Sequence, residues 1–124
     1  MHEREITEAV SKWLSSLFPC CTIHADEEEI KVYEVENGYS VGYKLTNYIR
    51  VGCKEGLTEY YGDLGRCLTY CVENGYVPTY FAVPHDYPNR ERLERAVNAV
   101  KLPIGLLTVD IDGRVKVAIK PHLL

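Results

Sequence analysis

Residues 30–54 read IKVYEVENGYSVGYKLTNYIRVGCK, and the patterning of this stretch decides the fold. Residues 30–36 and 39–45 are both strand-like, and in the second Tyr39, Val41, Tyr43 and Leu45 alternate with Ser40, Gly42 and Lys44. That predicts two strands, because successive strand side chains point to opposite faces. Asn37-Gly38 between them is the favoured two-residue hairpin turn. Thr46-Asn47 predicts a second turn into a third strand over 48–54. There Ile49, Val51 and Cys53 take the core face, and Tyr48, Arg50, Gly52 and Lys54 share the other.

On either side of this meander the signals are helical. Before it, Ile6, Ala9, Val10, Trp13, Leu14, Leu17 and Phe18 recur at helical spacing until Pro19 stops the run. Glu3 falls on that apolar stripe rather than on the solvent face, so it either frays into water or points at a site. After it, residues 57–74 predict a helix with Leu57, Tyr60, Leu64, Cys67, Leu68 and Cys71 inward and Asn74-Gly75 as its stop. Gly62 and Gly65 inside that helix cost about 1 kcal/mol each relative to Ala, which predicts a compensating close backbone approach. Residues 77–83 read as a strand, and Asn89 caps a helix with Leu93, Ala96, Val97 and Val100 inward. A hairpin over 104–110 and 114–120, turning at Asp112-Gly113, closes the chain.

The expected order is α-β-β-β-α-β-α-β-β: an α/β fold in which a mixed sheet is flanked by helices. The strand-helix-strand unit over 48–83 implies a right-handed crossover and a parallel pair. At 124 residues the chain is one domain, with no repeats, linkers or low-complexity tracts. Lys and Arg total 14 against 18 Asp and Glu, a net charge of -4 that excludes coating of nucleic acid by bulk charge. The charge is uneven, however. Residues 1–29 carry 2 basic and 7 acidic side chains, whereas residues 87–124 carry 7 basic and 4 acidic. Arg90, Arg92, Arg95, Arg114, Lys116 and Lys120 make either a modest basic face or a salt-bridged solvent surface, the second being the plainer reading.

Nothing approaches the roughly 18 consecutive apolar residues of a membrane span, and the charged opening residues lack a signal-peptide core, so a cytoplasmic location is expected. Five cysteines without a secretory signal argue against a disulfide framework. Cys67 and Cys71 lie on an apolar stripe and read as buried small hydrophobes. His24, His85 and His122 are scattered, without a metal-ligand spacing, and no phosphate-binding glycine loop or nucleophile elbow occurs.

Several short stretches carry a joint resemblance. They are Glu3-Arg4-Glu5-Ile6, Thr46-Asn47, Gly52-Cys53-Lys54, residues 61–66 through Tyr70, Ala82-Val83-Pro84, residues 105–109 and Asp112-Gly113. In order and position they resemble the PD-(D/E)xK, or restriction-endonuclease-like, nuclease superfamily, in the manner of the small archaeal Holliday-junction resolvases. The resemblance covers nearly the whole chain and implies a restriction-endonuclease-like fold. Thr46-Asn47 falls where the family has Pro-Asp, and Gly52-Cys53-Lys54 where it has (D/E)-x-K. Glu3 matches a glutamate that assists the metal site. The departures are specific: Asn47 keeps an oxygen but no charge, and Gly52 supplies no ligand at all.

What the resemblance implies is a nuclease-like protein with an eroded metal site, acting through binding to DNA or to a protein partner, with no cofactor, and forming a homodimer. The site residues it points to are Glu3, Asn47 and Lys54. The rival expectation is an active magnesium-dependent DNA endonuclease. There Glu3, Asn47 and a migrated carboxylate hold the metal, and Lys54 orients the attacking water. Glu55, Glu59 and Asp63 are the candidates for that carboxylate. Glu59 and Asp63, four apart on one helix face, read more plainly as solvated. A third reading keeps the fold as an interaction module without nucleic-acid contact.

Overall fold

The computed structural model describes residues 2–36, 42–52 and 60–122. Three helices and six strands follow in the order α1 (Glu3–Leu17), β1 (Cys21–Ala25), β2 (Glu29–Glu36), β3 (Gly42–Val51), α2 (Tyr61–Glu73), β4 (Thr79–Pro84), α3 (Arg90–Ala99), β5 (Ile104–Val109) and β6 (Val115–Ile119). The fold is α/β, and the expected sequence of element types is found. The six strands form one mixed sheet in chain order, β1 to β6. The β3–β4 and β4–β5 pairs are parallel and the others antiparallel.

Three layers result because each helix has one apolar stripe to bury. Ile6, Val10 and Leu14 of α1 pack on Ile30, Val32, Ile49, Val51, Ala82, Leu107 and Val109. On the other face, α2 contributes Leu64, Cys67 and Cys71, and α3 contributes Leu93 and Val97, against Phe81, Val83, Ile104 and Leu106. Every residue of β5 is buried, as a parallel strand covered on both faces requires. Cys67 and Cys71 are free, buried thiols, and burial pushes both above the ordinary thiol range.

The strands of the meander differ from expectation. Cys21–Ala25 is a strand that the sequence did not signal, and of the acidic residues that follow it 26–28 form the β1–β2 turn while Glu29 begins β2. The expected turn at Thr46-Asn47 does not exist: β3 runs unbroken from Gly42 to Val51. Pairing passes from Val32↔Asn47 to Tyr33↔Leu45, so Thr46 is the extra residue of a β-bulge, and its hydroxyl donates to the Val32 carbonyl at 3.1 Å. The bulge reverses the alternation. Leu45 shares the face of Tyr33, whereas Asn47 joins Val32, Ile49 and Val51 on the α1 side. The Asn37-Gly38 turn and Lys54, Glu55 and Glu59 lie outside the described residues.

Among the described residues the expected close approach at Gly62 and Gly65 is also absent, since a Cβ built at either meets no atom of theirs within 4 Å. No helix among the described residues is long and apolar enough to cross a membrane.

Candidate functional site

Beyond the bulge, β3 presents Tyr48, Arg50 and Gly52 to the α2 side while Ile49 and Val51 enter the α1 core. A charged residue at an inward position must bring its partners with it, because an uncompensated buried charge costs several kcal/mol. Arg50 is 4% exposed and has three. Its Nε donates to Asp63 Oδ1 on α2 at 3.0 Å, and Nη2 donates to Glu28 Oε2 at 3.0 Å. Its Nη1 lies 3.5 Å from Glu29 Oε1. Burial alone would lower the guanidinium's pKa. The hydrogen bond and charge of Asp63, followed by the charge of Glu28, outweigh it and raise it. The planar fork of arginine suits this arrangement, with separate donors directed at separate carboxylates.

Glu29 links this cluster to a second one. It lies 3.7 Å from Lys31 Nζ, and Lys31 in turn sits 5.6 Å from the Tyr70 ring centre. Tyr70 of α2 stacks on Tyr48 of β3, with ring centres 3.8 Å apart and planes within 18°. Burial, reinforced by the Glu29 carboxylate, pushes the Tyr48 phenol well above its ordinary pKa. Burial raises Tyr70 as well, against the opposing charge of Lys31.

Gly52 occupies the position where the nuclease motif has its carboxylate. A Cβ there would stand 2.3 Å from Phe81 Cε1 and 3.6 Å from Asp63 Oδ2. The aromatic ring of β4 thus fills the space of a side chain at 52, and a carboxylate from α2 stands beside it. Asp63 is buried, which corrects its reading as part of a solvated face.

The other expected site residues are dispersed. Glu3 opens α1 and is partly buried, lining a groove of about 980 Å³ with Thr7, Ser11, Asp26 and Glu27. Thr7 Oγ1 donates to the Glu27 carbonyl at 3.4 Å, and the Val51 N–H donates to the Glu28 carbonyl at 2.8 Å. Glu3 and the end of β3 therefore flank the same β1–β2 turn. Asn47 does not join them. It is buried on the α1 side of the sheet, five residues or about 16 Å along the strand from Gly52 at roughly 3.3 Å per residue. Lys54 lies outside the described residues. Among the described residues, no group of three or more His, Cys, Asp or Glu side chains is arranged to hold a metal ion.

Sequence reasoning missed Arg50 and its Glu28 and Glu29 partners, and named Asp63 only as a candidate metal ligand. The signal was present, since Arg50 lies between Ile49 and Val51, and Asp63 lies four and eight residues before the buried Cys67 and Cys71. Two opposite charges on inward stripes of consecutive elements point at each other.

The basic residues of the C-terminal third also differ from the plainer reading. Arg90 pairs with Glu94 at 2.9 Å, and Arg92 donates to the Tyr61 hydroxyl. Among the described residues Arg95, Arg114, Lys116 and Lys120 are exposed and make no ion pair. No family model matches the chain, and neither a curated protein nor a solved structure matches it.

Proposed function

We propose that this chain is a restriction-endonuclease-like domain whose hydrolytic centre has been replaced by a structural ion cluster, and that it acts by binding nucleic acid without cutting it. The observation that carries this reading is the pairing of Gly52 with Arg50. The motif position has no carboxylate and no room for one beside Phe81, and the nearby carboxylate of Asp63 is engaged by a guanidinium. A divalent cation such as magnesium needs oxygen ligands that are free to bind it. The order of elements and the mixed sheet are consistent with the fold that the motif resemblance implies. Nucleic acid is favoured over a protein partner by Arg95 of α3 and by Arg114, Lys116 and Lys120 in and beside β6, which are exposed and make no ion pair among the described residues.

Duplex and branched DNA are the probes, with and without magnesium or manganese. The expected outcome is no cleavage with either metal, together with binding that weakens as salt rises. Engaging about three phosphates gives a log–log salt slope of roughly −2 to −3. Replacing the four basic residues by Ala should abolish binding while leaving the thermal midpoint in place. Salt-insensitive or absent binding overturns the nucleic-acid reading. Metal-dependent cleavage that is lost in Lys54→Ala overturns the non-catalytic one, and would favour the alternative in which Asp63, beside Gly52, serves as the migrated carboxylate.

A further inference from the structure

The sheet is wider than the helices that cover its α2 side. There α2 lies over β3, β4 and β5, and α3 lies over β5 and β6. Among the described residues no helix lies over β1 or β2 on that side. The opposite face of β2 is taken by α1, where Ile30 and Val32 enter the core. Every second residue of an extended chain shares a face. Thr22, His24 and Asp26 therefore look onto the uncovered side together with Tyr33, Lys31 and Glu29. With Ala25 these six line a cavity of about 450 Å³, within the roughly 300–1,000 Å³ of small-molecule sites.

The floor of this cavity consists of cross-strand pairs of like chemistry. Thr22 stands opposite Tyr33, a pair of hydroxyls, and His24 stands opposite Lys31, a pair of nitrogen donors. The Asp26 N–H donates to the Glu29 carbonyl at 2.9 Å, so the ladder runs one pair further and sets two carboxylates opposite each other. Like charges in that relation are unfavourable. On β2 the charges offset one another along the strand. Lys31 Nζ lies 3.7 Å from Glu29 Oε2, and Glu29 Oε1 lies 3.5 Å from Arg50 Nη1. On the other strand nothing does this. His24 meets the Tyr33 ring edge-on with ring centres 6.1 Å apart, and Asp26 is exposed. Among the described residues neither makes a side-chain hydrogen bond or an ion pair. A donor row and a carboxylate row thus lie side by side, two residues or about 6.6 Å apart, each with one unpaired member.

We propose that this cavity binds a small zwitterion of dipeptide length, its carboxylate received by His24 and Lys31 and its ammonium by Asp26 and Glu29. The fit is one of repeat. Two residues of extended chain span at most about 7 Å, so the ends of a dipeptide laid along β1 fall on the two rows. A single amino acid carries both charges on one carbon and cannot reach both. A plain anion would leave the carboxylate row unmatched, and a plain cation would meet Lys31. The Thr22 hydroxyl, one row beyond His24, is placed to donate to the same carboxylate. The site lies at the opposite edge of the sheet from Arg114, Lys116 and Lys120, so its occupation does not depend on the nucleic-acid reading.

Titration of the whole chain with glycylglycine, followed by the shifts of its backbone amide NMR signals, tests this. The expected result is saturable binding with a dissociation constant of about 1 mM, a strength open to a ligand of this size. The shifts should centre on β1 and β2. Glycine, N-acetylglycylglycine and glycylglycinamide, which shorten the ligand or remove one of its charges, should each bind at least about tenfold more weakly. His24→Ala and Asp26→Asn, both at exposed positions, should each weaken glycylglycine about threefold with an unchanged circular dichroism spectrum. δ-Aminovalerate has the same length without the peptide group. Equal binding of it assigns the site to ω-amino acids as well, and binding of glycylglycine alone assigns it to peptides. No saturation well above the expected constant overturns the proposal, as do shifts centred elsewhere. Glycine binding as tightly as glycylglycine also overturns it, and so does an affinity that both folded variants leave intact.

Discussion

The two faces of β3 are held by different physics. Toward α1, Ile49 and Val51 sit in a dry apolar layer whose stabilisation scales with area removed from water. Toward α2, Tyr48 and Arg50 sit among carboxylates, a phenol and an ammonium, where stabilisation depends on every partner being present. The first face tolerates a lost methyl group at modest cost. The second is intolerant of single losses but can be replaced as a unit. The contrast explains why the residues of interest gather on the α2 side: an apolar layer would have stabilised the fold without them.

The sharpest way to break this contrast is to remove one partner. Asp63→Ala should destabilise the protein by about 3–5 kcal/mol, because Arg50 is left buried without its best acceptor. The double replacement Arg50→Met with Asp63→Leu should come out near neutral or stabilising in urea unfolding. If the double variant is as unstable as the single one, the cluster is a structural necessity rather than a retained feature. Gly52→Ala comes next in size, at about 1–3 kcal/mol, since its Cβ enters the Phe81 ring. Ile49→Val on the opposite face should cost about 1 kcal/mol. A value for Ile49→Val as large as that for Asp63→Ala would dissolve the distinction between the faces.

The smallest effect is a pH dependence to which the α2 side contributes several groups, and the α1 side one, Tyr80, raised by burial beside Trp13. Tyr48, Tyr70 and Cys67 all have pKa values raised in the folded state, chiefly by burial. A group raised on folding favours the native state fully below its unfolded value and loses that contribution as pH climbs toward the folded one. Stability should therefore decline from about pH 9 upward for the thiol and from about pH 10 for the phenols. Tyr48→Phe should reduce the loss above pH 10, as read from urea midpoints, and Ile49→Val should not alter it.

Much of the fold was legible from periodicity. The stripes of α1, α2 and α3, the buried run of β5 and the terminal hairpin all fall where spacing puts them. The failures cluster where one-residue phase matters. Thr46-Asn47 has the chemistry of a turn, and a bulge uses the same residues to slip register without reversing direction. Unbroken alternation would put Leu45 and Ile49 on one face, and the bulge separates them. β1 was invisible because five residues after Cys20 are too few to display a period. At the site, Glu3 and Gly52 were found beside one turn, but Asn47 was aligned through a bend that is not there. Arg50 was passed over because the motif asked only about its neighbour at 52.

The partners of Arg50 come from residues 28 and 29, at the β1–β2 turn and the start of β2, and from residue 63 on α2, far away along the chain. Its guanidinium cannot be satisfied until both have docked on β3, and burying it earlier would strand a charge. The cluster is therefore expected to close late in folding, like a clasp. An interaction formed after the rate-limiting step governs how fast the molecule comes apart, rather than how fast it assembles. Loosening it should then speed unfolding more than it slows refolding.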